Sequence, residues 1–269
     1  MKQSLSKVAS NQELLPGVHL MWIDDPDIAS VARAGQFVTL RCEGLILRRP
    51  FAIHQVNASQ VAILFKRVGE GTHWLSQRRK GDRVDILGPL GNGFNIGADS
   101  SNLLLLAGGI GIAPLVLLAQ QASVQHGVTL IHGASTGTQV YPVASLRGNE
   151  EDLLPFADRV RFIEVTEDGS KGRKGLVSDV VTDFLNWADQ VYACGPVDMY
   201  RAISQLATAC GVAGGDKLRK CQVSLEVRMG CGIGACRGCT VITERGPRRV
   251  CSDGPIFELG DILWSEVRL

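Results

Sequence analysis

Short apolar segments separated by turn residues fill the first third of the chain. Several of them alternate partly between apolar and polar positions, which is the pattern of half-buried strands. They are Val18–Trp22, Gln36–Arg41, Ile53–Val56, Val61–Lys66 and Arg83–Leu87. Helical spacing occurs only briefly, near Thr72–Gln77. Regularly spaced short strands predict an antiparallel barrel, which we assign to residues 1–98.

The middle of the chain alternates apolar strands with helical segments. The predicted strands are Leu103–Leu106, Val128–His132, Val160–Val165 and Gln190–Cys194, and the predicted helices are Leu115–Gln121, Leu176–Trp187 and Val197–Cys210. This alternation predicts an α/β domain with a parallel sheet, over residues 99–214, whose ligand site lies at the C-terminal ends of the strands. Residues 215–269 remain as a small third domain.

Composition narrows the class of protein. The chain has 269 residues, 45% of them hydrophobic, which is enough for two domains with real cores and a small appendage. A net charge of +1 gives no electrostatic reason to expect nucleic acid or an acidic membrane as a partner. Met1–Asn11 is polar, and glycines and a proline interrupt the uncharged segment Leu103–Ala119. We therefore expect a soluble, cytoplasmic protein without a signal peptide or membrane span.

Four cysteines near the C-terminus have the spacing of a metal site. Four residues separate Cys231 from Cys236, two separate Cys236 from Cys239, and eleven precede Cys251. This is the plant-type arrangement of ligands for a [2Fe–2S] cluster, and the small residues between the thiols allow a tightly wrapped loop. Structural zinc and a disulfide are alternatives, although zinc prefers short paired knuckles. The other cysteines, Cys42, Cys194, Cys210 and Cys221, lie outside this motif, and Cys42, Cys210 and Cys221 are expected to be buried hydrophobes.

Several segments suit an anionic nucleotide. In the barrel region these are Arg48–Ile53, Gly69–Thr72 and the glycine-rich segment Gly88–Phe94. Each alone is compatible with an edge strand or an ordinary turn, but together they favour a dinucleotide. In the α/β region, Ala107–Pro114 follows a strand and opens a helix, which describes either a phosphate site or a tight turn.

The barrel segment resembles the ferredoxin reductase superfamily. Arg49-Pro50-Phe51-Ala52 is similar to its flavin signature Arg-x-Tyr-Ser, with Phe51 in place of the tyrosine and Ala52 in place of the serine. The resemblance implies that Arg49 binds the FAD pyrophosphate and that the residues after it line the isoalloxazine. It further implies flavin contacts from Leu64, Phe65 and Lys66, and pyrophosphate contacts from Gly71 and Thr72.

The same superfamily predicts the nicotinamide site. It implies that the nucleotide faces Gly108, Gly109, Gly111 and Pro114 in one segment, and Gly195 and Pro196 in the other. Cys194 would lie near the nicotinamide as the candidate catalytic residue, with packing as the alternative. No arginine or lysine follows the second α/β strand until Arg147, which favours NAD over NADP.

Over most of its length the chain resembles the electron-transfer subunits of type B dihydroorotate dehydrogenase. The resemblance is carried by Ser224–Met229 before the cysteine loop, by Cys251–Phe257 after it, and by the loop Thr166–Gly175. It implies FAD, a [2Fe–2S] cluster held by the four cysteines, and NAD. It also implies an FMN-containing catalytic subunit as the partner. The two kinds of subunit would form a heterotetramer that acts in pyrimidine biosynthesis. A stand-alone NAD(P)H reductase for a ferredoxin or oxygenase, and a zinc-stabilised interaction module, are the alternatives.

Overall fold

The computed structural model describes residues 1–143, 159–209 and 214–267, and its N-terminal unit is a closed antiparallel barrel. The barrel strands are β1 (Lys2–Leu15), β2 (Val18–Asp24), β3 (Phe37–Arg41), β4 (Arg49–Val56), β5 (Gln60–Lys66) and β6 (Arg83–Leu90), in the spatial order β1-β2-β5-β4-β3-β6. Two short helices, α1 (Pro26–Ala29) and α2 (Glu70–Ser76), accompany it. The predicted barrel is confirmed.

Strand β1 was not predicted, because its sequence is too polar to show a strand pattern. Only Ser6 and Val8 of its residues are buried. The strand nevertheless closes the barrel, since it pairs with β2 on one side and with β6 on the other. The core inside is formed by fully buried branched side chains such as Leu40, Ile53 and Ile86. Burial of each stabilises the fold by about 1.5–3 kcal/mol.

The central unit is a parallel sheet, as the sequence predicted. Its strands are β7 (Asn102–Gly108), β8 (Gly127–Ala134), β9 (Val160–Thr166), β10 (Arg173–Lys174) and β11 (Gln190–Cys194), in the order β10-β9-β8-β7-β11. The helices are α3 (Ile112–Ala122), α4 (Val177–Val180) and α5 (Val197–Thr208). The strand order reverses direction at β7, which places the topological switch point between β7 and β11. The helix predicted over Leu176–Trp187 is only α4 followed by a 3₁₀ turn, Val181–Phe184.

The C-terminal residues extend the central sheet. Helix α6 (Gly215–Arg219) leads into β12 (Gln222–Ser224), which pairs parallel with β11. A hairpin of β13 (Thr240–Thr243) and β14 (Gly246–Arg249), helix α7 (Val250–Asp253) and strand β15 (Ile256–Glu258) follow. Strand β15 pairs antiparallel with β12. The cysteine region, placed in 215–269 by sequence, is thus attached to the α/β domain through two strands.

The uncharged segment Leu103–Ala119 forms most of β7, a 3₁₀ turn at Gly109–Gly111 and the first part of α3. Among the described residues, no helix has both the length and the apolar character needed to cross a bilayer. Cys42 and Cys221 are fully buried, as expected. Cys210, predicted to end a helix, lies outside the described residues.

Candidate redox site

The four cysteines of the C-terminal motif are surrounded by backbone N–H groups. Cys239 and Cys251 are buried, Cys231 is half-buried and Cys236 is exposed. Every one of the four sulfurs accepts a backbone hydrogen bond. Gly234 N–H donates to Cys251 Sγ at 3.0 Å, Cys236 N–H to Cys231 Sγ, Gly238 N–H to Cys236 Sγ and Cys251 N–H to Cys239 Sγ, the last three at 3.4 Å. Such donors stabilise negative charge on sulfur, as thiolate ligands require.

The loop conformation depends on residues that tolerate positive φ. Gly232 has φ of 72° and Gly234 has φ of 83°, in the left-handed region that glycine adopts without strain. Arg237 also has a positive φ, at 58°. A Cβ atom on Gly230 would lie 3.2 Å from Cys236 Sγ, so the backbone passes close to the sulfur. The chain therefore wraps closely around the thiols.

The thiols differ in acidity. Burial raises the pKa of Cys231, but N–H groups donated by Cys236 and Ile233 outweigh that effect and hold the pKa at about 6. Burial, together with the neighbouring Cys239 thiol, raises the pKa of Cys251 to about 12. A [2Fe–2S] cluster divides four thiolates between two irons, so the donor set fits the cluster.

The cysteine loop is anchored on the barrel. A Cβ atom on Gly232 would lie 3.1 Å from Thr39 Cγ2, so the loop packs directly on β3. Asn92, in the loop after β6, donates from Nδ2 to the carbonyl oxygens of Asp253 (3.3 Å) and Ile256 (2.9 Å). Its Oδ1 accepts the Ile256 N–H at 2.9 Å. The segment Gly88–Phe94, interpreted from the sequence as a flexible glycine loop that helps to bind a dinucleotide, therefore packs against the chain that follows Cys251.

Asn92 was missed by sequence reasoning. Its partners lie 161 and 164 positions further along the chain, so no local pattern could identify them. The only local signal is a polar amide in a glycine-rich turn, which usually indicates a solvent-exposed loop.

Two segments of the predicted flavin site come together on the barrel. A Cβ atom on Gly71 would lie 3.0 Å from both Cγ and Nε of Arg49, so α2 begins beside the arginine. Arg49 Nη1 donates to the Leu47 carbonyl at 2.6 Å. Thr72 Oγ1 accepts from the N–H groups of Val68 (2.9 Å) and Gly69 (3.1 Å) and so holds the start of α2. Arg49, Gly71 and Thr72 thus form one basic corner.

The residues after Arg49 form a half-exposed strand surface. Pro50, Phe51 and Ala52 are all half-buried. The Phe51 ring packs at a tilt against Phe65, with the ring centres 5.7 Å apart. Leu64 and Phe65 are buried and Lys66 is exposed. The half-exposed surface available to a flat ligand here is therefore that of Pro50–Ala52, with Phe65 supporting it from below.

The two predicted nucleotide segments are in direct contact. They follow β7 and β11, which pair with Ala107 opposite Cys194. A Cβ atom on Gly111 would overlap the Cys194 carbonyl oxygen, and one on Gly108 would lie 2.7 Å from Pro196 Cδ. A Cβ atom on Gly195 would lie 3.1 Å from Gly108 Cα. Only glycine fits at this junction, which lies at the switch point where α/β sheets bind nucleotides.

Cys194 is buried at this junction. Burial, together with the negative charge of Glu226, raises the pKa of its thiol to about 12. The thiol is therefore neutral near pH 7 and is not suited to be a general base. Tyr200 was missed by sequence: its hydroxyl accepts the Gly195 N–H at 2.9 Å and donates to the Ser224 carbonyl at 2.7 Å. Tyr200 thus ties the Cys194–Pro196 turn to the chain leading into the cysteine loop.

The sequence shows no basic residue close to the end of β8, where a nucleotide ribose would lie. The fold nevertheless brings both a carboxylate and a lysine to this strand end. Ser135 Oγ donates to Glu167 at 2.9 Å, which places a carboxylate beside this strand end. A Cβ atom on Gly137 would lie 3.0 Å from Lys171 Cβ, so a distant loop brings a lysine nearby. Lys171 pairs with Glu164 at 2.9 Å. Arg147 lies outside the described residues.

Comparisons with known proteins identify the family of this chain. A family model for the iron-sulfur cluster binding domain of dihydroorotate dehydrogenase B matches residues 226–263, and one for an oxidoreductase NAD-binding domain matches residues 105–205. The dihydroorotate dehydrogenase B (NAD(+)) electron transfer subunit of Desulforamulus reducens is 37% identical, covering 96% of this chain and 97% of its own length. That of Caldanaerobacter subterraneus subsp. tengcongensis is 35% identical, covering 96% and 98%.

The fold also resembles a solved structure. A chain of an NADH-dependent reduced ferredoxin-NADP oxidoreductase, studied for flavin-based electron bifurcation, is 28% identical with a TM-score of 0.81. The similarity covers 98% of this chain and 91% of that chain. The structural match therefore extends over the barrel, the parallel sheet and the cysteine region of this chain.

Proposed function

Because the chain belongs to the family of dihydroorotate dehydrogenase B electron transfer subunits, we propose that its partner is an FMN-containing subunit that oxidises dihydroorotate to orotate. The chain itself is an oxidoreductase subunit that transfers electrons to NAD, and its cofactors are FAD, a [2Fe–2S] cluster and NAD. Pyrimidine biosynthesis is the process it serves. A heterotetrameric assembly and a cytoplasmic location are parts of the same proposal.

Each cofactor has residues suited to hold it. Arg49, Gly71 and Thr72 supply a cation and helix-start N–H groups for the FAD pyrophosphate, beside the half-exposed surface of Pro50–Ala52. The close contact between Gly108–Gly111 and Cys194–Pro196 forms the floor of the NAD site. Cys231, Cys236, Cys239 and Cys251 would ligate the cluster. When bound, FAD allows electrons to be exchanged both in pairs, as NAD requires, and singly, as an iron–sulfur cluster requires.

The observation that best supports a partner subunit is the two-sided position of the cysteine loop. On one side Gly232 packs on β3 of the barrel. On the other side Cys236 is exposed, and Ile233 exposes 49% of its surface. An exposed apolar residue beside an exposed ligand suits a surface that another protein covers. The loop would thus lie between the flavin of this chain and that partner.

Co-expression with a candidate FMN subunit tests the proposal. We expect the two chains to co-purify and to reduce NAD⁺ in a dihydroorotate-dependent reaction. Cys236→Ser should abolish this reaction while NADH still reduces the flavin. Cys221→Ala is the matched control, because it removes a buried thiol outside the loop and should leave the reaction intact. If the chains neither associate nor couple dihydroorotate to NAD⁺, the partner assignment is wrong.

A second candidate function is a ferredoxin reductase. It is favoured by the 28% identity to a chain of a reduced ferredoxin-NADP oxidoreductase. In this case the isolated chain would reduce ferredoxin with NADH at a rate that the FMN subunit does not increase. Comparing NADH with NADPH in the same assay tests nucleotide preference. The carboxylate of Glu167 beside the end of β8 favours NADH, since it would repel a 2′-phosphate.

A further inference from the structure

Two buried histidines lie between the proposed flavin and nucleotide sites. His54 is on β4, two residues after Ala52, and His132 is on β8. His54 Nδ1 lies 2.9 Å from the Ala113 carbonyl oxygen, and His132 Nε2 lies 3.0 Å from the Gly109 carbonyl oxygen. A carbonyl can only accept, so each of these nitrogens carries a proton and donates it. Both histidines thus bind the same segment, Gly109–Pro114, which comprises the 3₁₀ turn and the start of α3 and is called the glycine loop below.

Tyr141 connects the two histidines. Its hydroxyl lies 3.0 Å from His54 Nε2, and its backbone N–H donates to His132 Nδ1 at 3.2 Å. Because a neutral imidazole has one donor and one acceptor, Tyr141 must donate to both rings. Burial lowers the pKa of His54 to about 4 and also lowers the pKa of His132, so both rings are neutral. The four hydrogen bonds therefore have one fixed direction.

These hydrogen bonds fix the orientation of the loop. The Gly109 carbonyl faces His132, and the Gly109–Ile110 peptide bond is trans. The Ile110 N–H lies on the opposite side of the same planar peptide, so it is turned away from His132. The Ala113 carbonyl is held by His54, which is part of the strand that carries Arg49 and Phe51. The two histidines, linked through Tyr141, thus hold the glycine loop at Gly109 and at Ala113 relative to β4.

We propose that His54, Tyr141 and His132 form a positioning unit, the His–Tyr–His bridge, that holds the Gly109–Pro114 loop in register with the flavin-binding strand and so sets the geometry of hydride transfer. The inference rests on the cofactor placement proposed above. None of the three residues exchanges a proton with the cofactors. Their role is alignment, and hydride transfer is sensitive to alignment because a displacement of about 1 Å can reduce a rate about a hundredfold.

Other hydrogen bonds between the barrel and α3 provide a comparison. Gln120 Nε2 donates to the Val56 carbonyl at 2.9 Å, and Gln121 Oε1 accepts the Ala34 N–H at 3.1 Å. Both contacts lie near the C-terminal end of α3, away from the glycine loop at its start. Gln120→Met removes a barrel–helix contact of the same kind without touching the bridge. It is therefore the matched control.

The test compares Tyr141→Phe with Gln120→Met in the purified protein containing its FAD and cluster. Anaerobic stopped-flow mixing with saturating NADH measures the limiting rate of flavin reduction. We expect Tyr141→Phe to lower this rate about tenfold to a hundredfold, and Gln120→Met to change it less than about twofold. A redox titration of the flavin should show an unchanged potential, because the bridge affects alignment and not driving force.

Hydrogen exchange supplies a readout that does not depend on turnover. The amides of residues 109–113 should exchange faster in Tyr141→Phe than in Gln120→Met, with and without NADH. His54→Asn keeps an N–H donor near the position of Nδ1, so it should retain more of the limiting rate than His54→Leu. If Tyr141→Phe matches Gln120→Met in both rate and exchange, the bridge has no positioning role. If the unsubstituted protein binds no FAD or is not reduced by NADH, the proposed function fails, and this inference fails with it.

Discussion

Replacing Asn92 by aspartate should loosen the cysteine region from the barrel. The substitution keeps the side-chain shape and the acceptor that receives the Ile256 N–H. It replaces the donating Nδ2 by an oxygen that faces the carbonyl groups of Asp253 and Ile256. Two hydrogen bonds are lost, and two oxygen–oxygen repulsions take their place. Because these contacts directly follow Cys251, the perturbation acts on the cluster site.

The size of the effect follows from the contacts. A hydrogen bond between protein groups contributes about 0.5–1.5 kcal/mol net, so two lost bonds cost about 1–3 kcal/mol. Facing acceptors without donors add a further cost of about 1 kcal/mol or more. We therefore expect Asn92→Asp to lower the free energy of unfolding by about 2–4 kcal/mol near pH 7. The difference should shrink in acid, because a protonated carboxyl regains a donor.

Urea unfolding followed by circular dichroism measures the stability, and the rate of bleaching of the cluster absorbance with a chelator measures opening of the site. Asn95→Asp is the control, since it adds the same charge three positions away at an exposed residue. Asn92→Asp should also slow electron transfer between flavin and cluster, whereas NADH-dependent flavin reduction continues. If Asn92→Asp and Asn95→Asp unfold at the same urea concentration, the Asn92 contacts do not hold the cysteine region in place.

Three further predictions concern the two nucleotide segments and the buried His54. Gly111→Ala places a Cβ on the Cys194 carbonyl oxygen, so NAD⁺ affinity measured by calorimetry should fall at least about tenfold; unchanged affinity would contradict the close contact. Cys194→Ala should leave the pH profile of flavin reduction unchanged between about pH 6 and 9, because the pKa of the thiol is about 12; a lost ionisation would show that the thiol titrates. The pKa of His54 is lowered by burial from 6.5 to about 4, so the unfolded chain takes up its proton first. Stability should therefore fall as pH decreases from about 7 to about 4, by up to about 3 kcal/mol, and urea unfolding of His54→Gln should show a shallower fall.

Local sequence patterns predicted most of the elements. The apolar segments of the barrel and the parallel sheet appear as strands, because period-two alternation and continuous apolar stretches depend on neighbouring residues. The cysteine spacing identified the cluster motif for the same reason. Strand β1 escaped prediction, since the pairing that holds its polar sequence comes from β2 and β6. The helix predicted over Leu176–Trp187 was too long, because an apolar pattern does not determine where helical hydrogen bonding stops.

The arrangement of the sites was decided by tertiary structure. Sequence identified Gly108–Gly111 and Cys194–Pro196 as separate segments, but the pairing of β7 with β11 brings them into contact. Nothing in the sequence around Asn92, His54 or Tyr141 indicates that each binds a segment from another part of the chain. The sequence determines which chemical groups are present, and the spacing of residues along the chain determines their local conformation. Their relative positions depend on strand order and packing between distant segments, and these emerge only when the whole core is buried at once.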